Sequence, residues 1–365
     1  MKERKVEARF IESRQRWQCN VQTNGVRKTF TSSIPGRRGK IDAERKADIW
    51  LDTQIVGENA KASATIAQYL ETIDATASSS YRAQQHYYMG MVLDCIGNKK
   101  MVNITPRDLQ AIVDKYYRFG KDGEGLSAAT LKGLRASISA WLKFCRSMRC
   151  TTLTAESIKI PKAARQTEKT IATKEDIRVL FSVDTTVWNG ERVRDFFVHA
   201  YRFLAVVGLR PGELLAIERR DIADGKLTIR HSYNNLGELT DGKNKNARRT
   251  IALDILDQQQ AMLRERGIVS KYVFPDEYGR IIQQYNLRRT WRRYCESNGI
   301  NHAQTPYELR HTFVSIVDEM PRQLKKMIVG HSESMDTEGI YGHEKQGDMQ
   351  RAAAYMNDAF LSILK

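Results

Sequence analysis

The chain has 365 residues, too many for one ordinary domain and enough for two or three. Its 41% hydrophobic and 28% charged residues exclude a disordered or fibrous chain. Fifty-nine Lys and Arg against forty-three Asp and Glu leave a net charge of +16, which points to a polyanion such as nucleic acid, the alternative being a basic surface that only aids solubility. The five cysteines are odd in number and contain no Cys-x-x-Cys pair, which argues against a disulfide framework or zinc ribbon and fits a reducing cytoplasm. The start lacks a signal-peptide core, and no apolar run approaches the ~18 residues that a membrane helix needs, so neither secretion nor membrane insertion is expected.

Residues 1–56 read as a three-stranded sheet followed by a helix. Val6, Ala8 and Phe10 alternate with polar residues, as do Trp17, Cys19 and Val21. Asn24-Gly25 then supplies a two-residue hairpin turn, and Val26 to Phe30 a third strand. Pro35-Gly36-Arg37-Arg38-Gly39, continuing into Lys40, reads as a basic loop, with Asp42 capping a helix that carries Ala43, Ala47, Trp50 and Leu51 on one face. Residues 1–55 hold thirteen Lys and Arg against seven Asp and Glu, so this small module is a candidate DNA-groove reader or else a solubilising cap.

Residues 57–64 look like a linker or a fraying helix start, and residues 64–152 like a helical bundle. Ile66, Tyr69, Leu70 and Ile73 share one helix face; Tyr81, Tyr88, Met91, Val92 and Cys95 mark a second. Thr105-Pro106-Arg107-Asp108 is a helix start, with a capping Thr, Pro at the first helical position and an acid two residues later. A Gly-rich loop at 120–125 follows, and Ser127 opens a fourth helix carrying Leu131, Leu134, Ile138, Trp141, Leu142 and Cys145. Its polar face bears Lys132, Arg135, Lys143, Arg146 and Arg149, which taken alone is a solvated face. Residues 151–172 read as a second linker.

From the capping signal at Thr173-Lys-Glu-Asp176 to Lys365 the chain reads as one mixed α/β domain, residues 173–365. Helices are predicted over roughly 174–182, 191–207 and 211–218. Leu227–Ser232, a run ending near Thr240, and Arg249–Leu253 predict one small antiparallel sheet, with the remainder mainly helical. Within this domain, Arg210 follows an apolar helix in the turn before the next one. It either grips a phosphate with its planar fork, held by Glu213, or forms a buried structural pair with Glu213. Lys243 and Lys245 lie at the tip of a predicted hairpin, either to reach a nucleic-acid strand or as an exposed basic turn. Tyr307-Glu-Leu-Arg310-His311 begins a helix after Pro306, and Gly-His331-Ser and Tyr341-Gly-His343 follow.

Singly these motifs are weak. In order, Arg-x-x-Glu-Leu, a hairpin Lys, x-x-Leu-Arg-His, Gly-His-Ser, and Tyr-x-His ten residues later resemble the tyrosine recombinase family, over about 173–345 by motif and over the whole chain by domain order. The subgroup it most resembles is the integrases of phages and conjugative transposons. The resemblance implies a multidomain, mainly α fold with small β-sheets: an arm-site DNA-binding domain, a helical core-binding bundle and a mixed α/β catalytic domain. It implies that Tyr341 attacks a scissile phosphate, Arg210 and Arg310 bind its nonbridging oxygens, and Lys243, with Lys245 as the fallback, protonates the leaving 5′ oxygen. His331 would hydrogen-bond the phosphate and Glu213 would orient Arg210. Neither a metal, a cofactor nor ATP is implied. Tyr307 stands where the family usually has His, and a phenol, titrating near ~10, is no base at neutral pH, although it can donate to phosphate. His311 matches the family's own following His.

The implied partners are double-stranded DNA at core-type and arm-type sites, further copies of the chain as a tetramer on paired sites, and an excisionase or host bending protein, in the cytoplasm of a bacterial host at its nucleoid. Candidate DNA contacts are Arg37, Arg38, Lys40, Lys132, Arg135, Lys143 and Lys245. Alternatives are a catalytically silent architectural or regulatory DNA-binding protein of the same fold, and a resolvase or type IB-like topoisomerase. After Tyr341, the helical stripe of Met349, Ala353, Met356 and Phe360 reads either as the domain's own closing helix or as a tail that docks on a neighbouring protomer.

Overall fold

The computed structural model describes residues 6–23, 26–53, 59–120, 123–166, 169–241, 248–252, 263–330 and 347–365. They form two compact units that divide after Thr167.

In the first unit, β1 (Arg9–Ile11), β2 (Arg16–Thr23) and β3 (Val26–Ser32) form an antiparallel sheet in the order β1-β2-β3. Trp17 pairs with Ser32 and Thr23 with Val26, so two residues join β2 to β3; that Asn24-Gly25 pair lies outside the described residues. Ala8, Cys19 and Val21 pack on Ala43, Ala47 and Leu51 of α1 (Gly36–Thr53). Phe10, expected inward, is 40% exposed and lies edge-on to Trp17. The predicted basic loop is instead the first turn of α1, placing Arg37, Arg38 and Lys40 on a helix. Arg and Lys favour helix interiors, and the Asp42 carboxylate bonds Lys46 one turn on rather than capping.

The bundle comprises α2 (Ala62–Thr76), α3 (Ser79–Ile96), α4 (Pro106–Arg118) and α5 (Ala128–Ser147). The Thr105 hydroxyl accepts from the Asp108 N–H, and the Asp108 carboxylate accepts from the Thr105 N–H, which fixes where α4 begins. Ile66, Met89, Val92, Leu109, Ile112, Leu134 and Trp141 are fully buried in a core separate from that of the sheet module. Tyr81 is 39% exposed and contributes little to that core. Residues 151–166, which read as linker because they lack apolar periodicity, are pinned to the bundle. Gln110 accepts from the Lys159 N–H and donates to its carbonyl, and Ala155, Ile158 and Ala164 are buried.

The second unit opens with α6 (Lys174–Ser182), capped reciprocally by Thr173 and Asp176. The helix predicted from residue 191 begins only at Val198. Before it stand β4 (Thr185–Trp188) and β5 (Glu191–Arg194), an antiparallel hairpin, and then α7 (Val198–Val207). Asn189 and Gly190 both have positive φ, the turn that matches strand twist, and they decide the hairpin over the helix. Next come α8 (Pro211–Ala216), β6 (Ile222–Ala223), β7 (Lys226–Ile229), β8 (Ser232–Tyr233), β9 (Leu239–Thr240) and β10 (Arg249–Ala252). The strands make two sheets rather than the single one expected: β10-β7-β6 and β8-β9.

Helices α9 (Gln284–Asn298), α10 (Pro306–Ile316), α11 (Arg322–Val329) and α12 (Asp348–Leu364) complete the unit. Ala352, Met356, Phe360 and Ile363 of α12 are buried in the unit's own core. Phe360 lies 6.4 Å from Phe181, and Arg178 of α6 donates to the Ile363 carbonyl. The tail is therefore the unit's own closing helix and not a segment left free to dock on a neighbour. Its stripe runs through Ala352 rather than the expected Ala353, which is half-buried, as is Met349.

Asp195, between β5 and α7, is 1% exposed. One carboxylate oxygen accepts from the Phe197 N–H, and the other has no hydrogen-bond partner among the described residues. Burial raises its pKa from 3.8 to about 6, against the Phe197 N–H bond and the charge of Arg293. The folded state thus binds more protons than the unfolded chain between those values, so this group's contribution to stability falls as pH rises through about 6. Asp195→Asn keeps the acceptor for Phe197 and removes the buried charge. It is expected to gain on the order of 1–3 kcal/mol over the parent at pH 8, with the gain vanishing near pH 4. Urea unfolding at both pH values checks this, and a less stable Asn variant at pH 8 would show instead that the charge is compensated by Arg293.

Candidate active site

Helix α7 is buried on every side, His199 and Arg202 included, and it ends at Gly208, whose φ is +66°. A Cβ there would lie 2.2 Å from the Phe313 ring of α10, so glycine is required both by conformation and by space. This close approach of α7 to α10 brings Arg310 under the Gly208 carbonyl. Arg310 Nη1 donates to it at 2.9 Å, and Nη2 donates to the Val329 carbonyl at 2.6 Å.

Arg210 occupies the capping position before Pro211, with an extended backbone. Glu213, on the first turn of α8, accepts from the Arg210 N–H at 2.9 Å and from Arg210 Nη1 at 2.7 Å. Arg210 Nη2 reaches the Gly330 carbonyl at 3.4 Å. The Arg210 side chain remains 33% exposed, while Glu213 and Arg310 are each 3% exposed.

A third guanidinium completes the cluster. Arg249, the first residue of β10, donates from Nη1 to Glu213 Oε1 at 3.1 Å, from Nη2 to Oε2 at 2.9 Å, and from Nε to the Ile328 carbonyl. Sequence reasoning named Arg249 only as the start of a strand. The available signal was period-two alternation: Arg249 shares a face with Ile251, and their β7 partners Ile229 and Leu227 are both buried, so an Arg at that parity points inward.

Burial alone would raise the Glu213 carboxyl, but the bonds and charges of Arg249 and Arg210 outweigh it and hold it at about 2. Arg310 is lowered to about 10, by burial first and then by the charge of Arg210, partly offset by Glu213. It remains a cation at neutral pH. Three guanidiniums and one carboxylate leave two uncompensated positive charges in this largely buried cluster, an arrangement that favours an anionic ligand.

Tyr307, one turn before Arg310 on α10, is 42% exposed; its ring lies edge-on to His311 at 5.2 Å and beneath Lys169 at 6.0 Å. Burial, then Lys169 and Arg310, lower the His311 pKa. The structure thus brings Arg210, Glu213 and Arg310 together. Lys243, Lys245, His331, Tyr341 and His343 lie outside the described residues. In the first unit, Arg37 and Arg38 are exposed on α1, and Lys40 sits between Glu7 and Glu44 at 3.8 Å from each. Lys132 and Lys143 are exposed on α5, where Arg135 is half-buried with its Nε on the Ala155 carbonyl. No group of three or more His, Cys, Asp or Glu able to hold a metal occurs among the described residues, and no helix among them is long and apolar enough to cross a membrane.

Residues 172–347 match the Phage integrase family. The chain is 25% identical over 305 residues to a tyrosine recombinase XerC-like protein of Caldanaerobacter subterraneus subsp. tengcongensis, covering 72% of this chain and 73% of that one. Among solved structures, a Tn1549 transposon integrase in complex with a circular intermediate DNA superposes with a TM-score of 0.62 at 17% identity, over 80% of this chain and 98% of that one. A lambda integrase, solved as a tetramer bound to a Holliday junction, superposes with a TM-score of 0.58 at 15% identity, over 92% and 96%. Arg210, Glu213, Arg249 and Arg310 therefore lie within the stretch that matches the Phage integrase family, and the chain is similar to tyrosine recombinases.

Proposed function

We propose that the chain is a site-specific DNA recombinase of the integrase type, which cuts and rejoins double-stranded DNA through a 3′-phosphotyrosyl intermediate to integrate and excise a mobile element. The observation that carries this reading is the surplus of two positive charges among Arg210, Arg249, Arg310 and Glu213. A phosphodiester carries one negative charge, and attack by a phenolate makes the pentavalent state a dianion. The cluster matches the transition state better than the ground state, which is the requirement for rate acceleration.

In this reading the Tyr341 oxygen attacks phosphorus and the bond to the 5′ oxygen breaks. Lys243, or Lys245 if the hairpin register is shifted by two, gives the departing oxygen its proton. Arg210 and Arg310 hold the nonbridging oxygens, His331 hydrogen-bonds the phosphate, and Tyr307 adds a donor where the family usually has His. The phosphotyrosine conserves the bond energy, so a new 5′-hydroxyl can displace it without ATP. Fixed guanidinium charge supports a role that does not call for a metal.

Residues 173–365 would form the catalytic domain and 64–152 the core-binding domain, with Lys132, Arg135 and Lys143 towards DNA. Residues 1–56 would be the arm-binding domain, through Arg37, Arg38 and Lys40. Assembly as a tetramer on paired sites, with an excisionase or host bending protein setting direction, fits the same reading.

The test is to incubate the full chain with a nicked duplex selected for binding, denature in detergent and map the attached residue by peptide mass. A covalent DNA adduct on Tyr341 is expected. No adduct on any duplex would favour an architectural DNA-binding protein, and an adduct on Tyr355, exposed on α12, would move the nucleophile. Relaxation products without exchange between duplexes would favour a type IB-like topoisomerase.

A further inference from the structure

Three consecutive carbonyls at the C-terminal end of α11 each accept from a different guanidinium: Ile328 from Arg249, Val329 from Arg310 and Gly330 from Arg210. A helix C-terminus leaves its last carbonyls without intrahelical donors and carries partial negative charge, so three cations are well placed there. Two of the three are the proposed phosphate ligands. The third, Arg249, differs in kind. Its side chain is 6% exposed, both terminal nitrogens engage Glu213, and Nε engages Ile328.

Each Glu213 oxygen takes one bond from Arg210 and one from Arg249. If Arg249 were absent, each carboxylate oxygen would keep one bond, both from Arg210, and the link that ties Glu213 to the Ile328 carbonyl at the end of α11 would be lost. Arg210 would then lose the fixed partner that aims its exposed end.

We propose that Arg249 is a positioning residue for strand cleavage: it locks Glu213 against the end of α11 and so fixes Arg210 at the distance from Arg310 that the phosphate requires. The inference rests on the cleavage chemistry proposed above. Arg249 follows Lys243 by six positions, so the alternative to be separated is action through the hairpin lysine. A positioning error of ~1 Å lowers rates by about 10²-fold in other enzymes.

The experiment measures single-turnover cleavage of pre-bound nicked duplex, DNA affinity and melting temperature for the full chain carrying Arg249→Lys or Arg249→Met. The Lys variant keeps the charge but not the bidentate grip. It should melt close to the parent, bind DNA equally and cleave on the order of 10-fold more slowly; the Met variant should cleave about 10²-fold more slowly. In the background of Arg210→Ala, Arg249→Lys should slow cleavage no further, because its target is gone. A duplex with a sulfur in place of the bridging 5′ oxygen, whose leaving group needs no proton, should not restore either single variant.

Parent-like cleavage by the Lys and Met variants overturns the inference, as does a further rate loss on top of Arg210→Ala, or rescue by the sulfur duplex. Should the Met variant not fold, the Lys variant and its double mutant still decide. If the parent chain itself forms no adduct, the recombinase reading has failed, an outcome distinct from all of these.

Discussion

Replacing Arg310 by Ala is expected to lower the single-turnover rate of strand cleavage by on the order of 10²–10³, the range seen when one preorganised oxyanion donor is removed from other enzymes. Arg310 gives two N–H groups to the Gly208 and Val329 carbonyls, and a guanidinium has five, so its remaining donors are available to a phosphate. Burial and then the neighbouring charge of Arg210 lower its pKa to about 10, and that same neighbour makes the place a poor one for another cation and a good one for an anion. DNA affinity should change little, because many other Lys and Arg contacts remain. A nicked duplex assayed with enzyme in excess gives the rate, and binding at fixed salt gives the affinity. Large loss of affinity together with normal cleavage would remove Arg310 from the catalytic set. Two buried carbonyls lose their donor in this variant, so melting should be followed in parallel and the rate read below the melting range.

The second large effect concerns stability. Glu213→Gln leaves Arg249 buried without its counter-charge, and breaking a buried pair in this way costs about 3–5 kcal/mol in other proteins. The lower end is expected here, because Arg210 is one-third exposed and water screens its share. The pH dependence follows from the carboxyl held at about 2 in the fold against an ordinary 4.5. Its contribution is fully present above 4.5 and is lost as pH falls through about 2. The gap between parent and variant in urea unfolding should therefore be widest near neutrality and shrink below pH 4. A gap independent of pH would mean that Glu213 acts through shape rather than charge.

Helix starts were legible because their signals are local. Thr105 with Asp108 and Thr173 with Asp176 satisfy one another within four residues, so residue types and spacing suffice. Arg210 and Glu213 could be picked out for a similar reason: an Arg in a helix-to-helix turn with an acid one turn on is a short-range pattern, whereas Arg310 stood out through the Leu-Arg-His motif of the family it resembles. Where two local readings competed, the sequence was ambiguous. The segment 191–194 continues into an apolar helix and was read as part of it, but the Asn189-Gly190 turn returns it along β4. Pro35 to Lys40 carries loop-like glycines and helix-favouring Arg and Lys together, and the helix prevailed.

What the sequence determined by itself is thus the charge that favours a polyanion, most of the element types, the reciprocal caps and the family motifs, all of which depend on composition or on residues within about one helical turn. Tertiary structure alone decided the rest. It placed α12 on its own unit, because whether an apolar stripe finds a groove at home depends on the surface that α6 and α7 leave open. It pinned residues 151–166 through Gln110, 49 residues from Lys159. And it made Arg249 part of the site, through partners 36 and 79 residues away on α8 and α11. A guanidinium selects carbonyls and carboxylates by distance and angle, and no spacing along the chain encodes which of them folding will bring within 3 Å.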